Sequence, residues 1–73
     1  MVMAMHSPKS LPTVQVALSS LLAALRFEAM SKEVLTETNP ERLSRFARFI
    51  LRHSPANITD KLAVNFRALG LIA

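Results

Sequence analysis

The chain has 73 residues, of which 51% are hydrophobic and 19% charged, with no cysteine and a formal net charge of +4. This size excludes a two-domain enzyme, and the lack of cysteine excludes disulfides and thiolate metal sites. A charged fraction this low with an apolar fraction this high argues against disorder. We expect one small domain with a marginal core, because so short a chain buries only about 60% of the surface it exposes when unfolded.

The first ten residues show no apolar periodicity and nothing that fixes a turn. We therefore expect residues 1–10 to form a flexible N-terminal arm and residues 11–73 to form a single helical domain. An acid-free start before an apolar run can also indicate a targeting sequence, but the run from Leu11 to Leu25 is interrupted by proline, glutamine and serine. It is also shorter than the ~18–20 apolar residues of a membrane span. We expect a cytoplasmic chain, which the absence of cysteine fits.

Residues 13–37 contain no proline or glycine and consist mainly of good helix formers. They predict one long helix, or two abutting helices with a break near residue 30. At 100° per residue the apolar positions fall on two nearly opposite stripes. One stripe comprises Val14, Leu18, Leu21, Leu22, Leu25 and Ala29. The other comprises Val16, Ala23, Phe27, Met30 and Val34.

A helix that is apolar on two sides has to be covered on two sides, and this chain has little else to cover it with. Self-association, or docking as a subunit of a larger assembly, is the simplest remedy. The predicted partner interface is formed by apolar residues of both stripes: Val16, Leu21, Phe27, Met30 and Val34.

The triplet Asn39-Pro40-Glu41 marks the start of the next helix. It joins a capping asparagine, a proline where its missing N–H costs nothing, and an acid at the positive helix end. This helix should run over residues 40–53, because the residue before Pro55 avoids the helical conformation. Its expected core stripe is Leu43, Phe46, Ala47, Ile50 and Leu51.

A last helix is predicted over residues 58–69, with Asn57 or Thr59 as its cap. Gly70 stands where a left-handed ending belongs, and we expect Leu71 to fold back on the last turn. The inward face should carry Ile58, Leu62, Phe66 and Leu69. No segment shows strand alternation or a hairpin turn. The predicted fold is therefore all-α, a small bundle of three or four helices completed by oligomerisation.

Four arginines and a phenylalanine share the side of the 40–53 helix opposite its core stripe. They are Arg42, Arg45, Arg48, Phe49 and Arg52. Such a ridge could neutralise the phosphates of a nucleic acid, pair with an acidic protein surface, or simply face solvent. Because Phe49 is expected on the solvent-exposed side, the pattern favours a contact surface, with Phe49 either stacking on bases or anchoring a protein interface.

The last two predicted helices have the outline of a helix-turn-helix, and the ending from Phe66 to Ile72 resembles the close of the recognition helix in winged-helix regulators. That resemblance covers fewer than about ten residues and implies DNA binding. The turn glycine is absent, however, and the candidate reading helix offers only Lys61, Asn65 and Arg67 as groove contacts. We treat it as an analogy.

Enzyme signatures are missing, including a glycine-rich phosphate loop and paired histidines four residues apart. We therefore expect no catalytic, cofactor or metal site and no small-molecule substrate. The favoured function is a helical protein-interaction or regulatory module. The alternative is a small basic transcriptional regulator that binds nucleic acid through the arginine ridge. A membrane surface is disfavoured, because the first helix has only Arg26 and Lys32 for a basic face.

Overall fold

The computed structural model describes residues 11–73, which form four α-helices and no strand. In chain order they are α1 (Leu11–Ala24), α2 (Glu28–Val34), α3 (Pro40–His53) and α4 (Ala56–Ala68). The all-α class and the small helical bundle are confirmed. The arm predicted for residues 1–10 lies outside the described part of the chain.

The core lies where α1, α2 and α3 meet, with α4 packed on α3. Ten hydrophobic side chains are buried there: Val14, Leu18, Leu22, Val34, Leu43, Phe46, Ala47, Ile50, Phe66 and Leu71. Helix α3 supplies four of the ten and α4 supplies only Phe66. The first three helices thus form most of the core, and α4 closes one side of it.

Helix α1 ends in a turn that the sequence pattern did not reveal. Arg26 has φ +74°, in the left-handed region. The N–H of Phe27 donates to the carbonyl of Leu22 at 2.9 Å, and the N–H of Arg26 donates to that of Ala23 at 3.0 Å. These two bonds define a Schellman ending. The predicted long helix is therefore broken at residues 25–27 rather than near residue 30, and α2 packs against α1.

The second apolar stripe, from Val16 to Val34, was defined on one continuous helix and does not exist in the structure, because the turn at Arg26 separates α1 from α2. Val34 is fully buried at 0% exposure, and Phe27 and Met30 pack against the core cluster. The prediction that these three residues continue the Val16 stripe along one helix is wrong. The error arises because Arg26, which is not a glycine, adopts the left-handed conformation. The helical wheel assumed one continuous helix where the structure has two.

Helix α3 has the predicted bounds and the predicted cap. The side-chain oxygen of Asn39 accepts a hydrogen bond from the N–H of Glu41 at 2.9 Å. Four of the five predicted core residues of α3 are buried, and Leu51 is half-buried. The periodicity was sufficient here because the helix has one strongly apolar side.

Helix α4 begins at Ala56, two residues before the predicted start, and neither Asn57 nor Thr59 caps it. The Thr59 hydroxyl instead donates to the carbonyl of Pro55 at 2.9 Å from within the first turn. Of the predicted inward face, Phe66 is buried and Leu62 and Leu69 are half-buried. The prediction for Ile58 is wrong, because it lies in the exposed first turn of α4 at 37% exposure.

The predicted ending of α4 is confirmed. Gly70 has φ +78°. The N–H of Leu71 donates to the carbonyl of Phe66 at 2.8 Å, and the N–H of Gly70 donates to that of Arg67 at 3.0 Å. Leu71 folds back and is 7% exposed. This is the same Schellman motif that ends α1.

Candidate functional site

Helix α1 carries no charged side chain along its 14 residues. Its buried side consists of Val14, Leu18 and Leu22. The outward side consists of small or uncharged residues, which we call the uncharged face: Val16, Ala17, Ser20, Ala23 and Ala24. All except Ala17 are exposed.

Val16 and Val64 show how unusual this face is. Both are exposed helical valines, at 57% and 60%. Residues three and four positions away are neighbours on a helix surface. Val64 has Asp60, Lys61 and Arg67 at those positions, whereas every such neighbour of Val16 is uncharged. Val64 is a single apolar residue among charges, and Val16 belongs to a wholly uncharged surface.

The uncharged face continues into an apolar groove of about 300 Å³ between α1 and α4. Asn65 is the only polar one of the described residues that line it, which are Ala17, Leu21, Leu62, Asn65, Phe66, Ala68 and Leu69. Because Ala17 belongs to both, the apolar surface runs without interruption from the outside of α1 to α4.

The five predicted interface residues do not share one surface. Val16 is exposed on the uncharged face and Leu21 lines the α1/α4 groove. Phe27 and Met30 lie on the α3 side, packed against the core cluster, and Val34 is inside it. Only Val16 and Leu21 remain accessible to a partner on one continuous surface, because the turn at Arg26 moves the other three elsewhere.

The four arginines of the ridge also differ in whether they form ion pairs. Arg42 points toward the end of α2. Its Nη2 lies 3.0 Å from Oε2 of Glu33 in α2, and its Nε lies 2.6 Å from Oε1 of Glu37 in the connection to α3. Its positive charge is thus matched within the chain. The other three arginines of the ridge, Arg45, Arg48 and Arg52, are exposed and form no ion pair with any described residue.

Glu37 joins the end of α2 to the start of α3. Its carboxylate accepts hydrogen bonds from the N–H of Asn39 at 3.1 Å and the N–H of Thr38 at 3.2 Å, in addition to the Arg42 contact. The Asn39 bond contributes most to lowering the pKa of Glu37 below its ordinary value of 4.5, and Arg42 lowers it further. The carboxylate is therefore held in its charged form, which keeps Arg42 directed toward α2.

Phe49 is half-buried, so the prediction that it lies on the solvent-exposed side of α3 with the arginines is wrong. Its ring centroid lies 4.8 Å from that of Phe27, nearly perpendicular to it, and 4.3 Å from that of His53. Phe49 stands at the flank of α3 that faces the start of α2. The helix wheel could not show this, because it does not contain the position of a neighbouring helix.

Sequence reasoning missed a second groove, between α2 and α3. Its volume is about 250 Å³, and it is lined by Met30, Glu33, Arg42, Arg45, Phe46 and Phe49. Three apolar side chains form its floor and three charged ones its rim. The lining residues come from two helices, so no local motif could have indicated the site.

Comparison of the chain with protein-family models, curated proteins and solved structures finds no match. No helix within residues 11–73 combines the length and the apolar character needed to cross a bilayer. The same residues contain no group of three or more histidine, aspartate or glutamate side chains placed to hold a metal ion.

Proposed function

We propose that this chain is a small helical protein-interaction module that self-associates through the uncharged face of α1. The observation that carries the proposal is a charge-free helix, exposed along its outer side, in a chain with a net charge of +4. A monomeric helix normally turns charged residues to solvent. Leaving a whole face without them is typical of a surface that is covered in the working state.

A second copy of the chain is the partner that this surface suits best. Two copies carry the same positive charge and repel each other wherever their charged surfaces meet. The uncharged face allows contact without that repulsion. Its small residues also let two helix axes approach to the short end of the usual 8–10 Å range.

The geometry favours a two-fold symmetric contact in which the same face serves both copies. Helix α1 is about 21 Å long at 1.5 Å per residue. One helix face of that length is too small by itself for the ~1,200–2,000 Å² of a stable interface. The α1/α4 groove supplies the additional apolar surface, with Leu21 at its edge as the anchoring side chain.

In this proposal the module binds and does not catalyse, and it works in the cytosol, where a chain without cysteine is at no disadvantage. Nucleic acid is the weaker alternative. Arg42 is already paired with two glutamates, and Phe49 packs against Phe27. Within the described part of the chain the ridge thus retains three arginines without an ion pair and no exposed aromatic ring. Fewer phosphate contacts mean weaker electrostatic binding.

The test compares Val16→Glu with Val64→Glu by sedimentation velocity at micromolar concentration. Both substitutions add one carboxylate at an equally exposed helical valine, and glutamate is the better helix former, so both variants should fold. We expect the unmodified chain and Val64→Glu to dimerise alike. Val16→Glu should dimerise at least about tenfold more weakly, because the carboxylates meet across the two-fold axis without partners.

Circular dichroism of both variants shows whether the helices are intact. A monomeric parent chain would contradict the proposal, and so would equal dimerisation of the two variants.

A further inference from the structure

We propose that the α2/α3 groove is a docking site for an acidic segment of another protein, which inserts one large apolar side chain into the groove and places a carboxylate against Arg45. This surface is separate from the uncharged face of α1. The inference therefore goes beyond self-association and does not depend on it.

The floor of the groove is apolar and held in place. Phe46 is 7% exposed, and Met30 and Phe49 are half-buried against the core cluster. The ring of Phe49 packs against the rings of Phe27 and His53. A pocket that is formed before binding loses little entropy when it is filled. Met30 adds an adaptable wall, since methionine side chains adjust to the shape of a ligand.

The size of the groove indicates what it accepts. Its volume of about 250 Å³ lies below the ~300–1,000 Å³ of most small-molecule sites. It is suited to a single large side chain, such as phenylalanine or leucine, entering from a partner. Protein interfaces commonly gain most of their affinity from one or two side chains buried in this way.

The rim of the groove selects the charge of the ligand. Glu33 and Arg42 lie 3.0 Å apart and neutralise each other. Among the described residues Arg45 forms no ion pair, and Arg48, also unpaired, lies one turn further along the same exposed side. A planar guanidinium binds a carboxylate through two parallel hydrogen bonds. The expected ligand therefore combines an apolar anchor with a neighbouring acidic residue.

A peptide fits these features better than a nucleic acid does. Stacking requires an open aromatic face, and the Phe49 ring is engaged by Phe27 and His53. A nucleic acid would also have to meet several cations at once. Among the described residues that line the groove, Arg45 is the one arginine not already paired with a carboxylate.

The experiment is a titration of the full chain, labelled with ¹⁵N, followed by amide chemical shifts. The probe is the peptide acetyl-Glu-Glu-Phe-Glu-Glu-amide. One control peptide replaces phenylalanine with alanine, and a second replaces every glutamate with glutamine. We expect the probe to shift the amides of Met30, Phe46 and Phe49, and both control peptides to bind at least about tenfold more weakly.

The matched variants are Arg45→Gln and Arg52→Gln. Both arginines are exposed on the same helix, two turns apart, but only Arg45 lines the groove. Arg45→Gln should weaken probe binding about tenfold, whereas Arg52→Gln should leave it nearly unchanged. Since both side chains are exposed, both variants should retain the fold.

Three results would overturn the proposal. The first is the absence of shifts at the groove with millimolar probe. The second is an equal effect of the two arginine variants, which would mean unspecific attraction between charges. The third is a larger shift of the same amides by a single-stranded oligothymidylate than by the probe, which would assign the groove to nucleic acid.

Discussion

Helices α1 and α4 end in the same backbone geometry with different residues in the critical position. Arg26 occupies the left-handed position after α1, at φ +74°, and Gly70 occupies it after α4, at φ +78°. Each turn is closed by a pair of hydrogen bonds at 2.8–3.0 Å. Glycine adopts this conformation freely, whereas a residue with a Cβ is strained by roughly 1–2 kcal/mol.

The difference shows what decides the path of a short chain. At α4 the local preference of glycine and the global fold agree. At α1 the local preference of Arg26 opposes the turn, so packing has to impose it. Reversal at Arg26 allows α2 to bury Val34 completely, and burying a side chain of this kind contributes about 1.5–3 kcal/mol, enough to offset the strain.

The largest expected effect on stability comes from removing the buried side chain that precedes each turn. These side chains are Leu22 before the turn at Arg26 and Phe66 before the turn at Gly70. Phe66→Ala should lose about 3–5 kcal/mol of local stability and Leu22→Ala about 2–5 kcal/mol. The extent of unfolding should differ. Phe66 is the only buried residue that α4 contributes to the core, whereas Leu22 is one of three that α1 contributes. Amide hydrogen exchange should show α4 alone exposed by Phe66→Ala, and all four helices exposed by Leu22→Ala.

Leu69→Ala is the control for Phe66→Ala, because it shortens a half-buried side chain in the same part of α4. It should leave the protection of α4 largely in place. Uniform loss of protection in all helices after Phe66→Ala would show that α4 is not a separate unit.

An intermediate effect is expected from exchanging the residue type at the two left-handed positions. Gly70→Ala should lower the free energy of unfolding by about 1–2 kcal/mol. Arg26→Gly should raise it by about 0.5–1 kcal/mol, less than the strain relieved, because glycine also gains entropy in the unfolded chain. Urea unfolding at neutral pH measures both changes.

Steric overlap does not complicate Gly70→Ala, since an added Cβ would have nothing within 4 Å. Replacing Gly70 with D-alanine by chemical synthesis is the matched control, because its mirror-image preference suits positive φ and should cost nothing. If Arg26→Gly destabilised the chain, its side chain and not its backbone would be stabilising the turn.

The sequence predicted most of the fold where one strong local signal acted alone. Asn39-Pro40-Glu41 set the start of α3, its apolar periodicity set the buried side, and Gly70 set the end of α4. The break at Arg26 could not be predicted, because no local preference marks it and its cause is the burial of Val34 eight residues later. Predicting it would have required comparing the packing of one long helix with that of two.

The candidate surfaces were predictable to a smaller extent, for the same reason. The lack of charge on α1 is visible in the sequence, and Val16 is exposed as expected. The prediction that Phe27, Met30 and Val34 share a surface with Val16 assumed one continuous helix, which the turn at Arg26 interrupts. The α2/α3 groove could not be foreseen at all, since Met30 and Phe46 come to line one groove only in the folded chain.

The smallest expected effect is a response to acid that distinguishes the two turns. Glu33 and Glu37 pair with Arg42 and so connect α2, the helix after the turn at Arg26, to α3. The turn at Gly70 is followed instead by the buried Leu71, whose apolar side chain forms no ion pair. The pKa of Glu37 is lowered in the folded chain. Its stabilising contribution is therefore complete above its ordinary value of 4.5 and is lost as the pH falls through the lower folded value.

Lowering the pH from about 6 to about 3 should thus reduce the protection of α2 amides before that of α4 amides. The effect is small because the Arg42 ion pairs are at the surface. Glu37→Gln should flatten the dependence of the unfolding midpoint on pH over this range. Glu28→Gln, in the first turn of α2 and without an ion pair to any described residue, should leave it unchanged. Identical acid profiles for the two variants would mean that the carboxylate link does not hold α2 in place, and that the buried Val34 alone keeps the first turn closed.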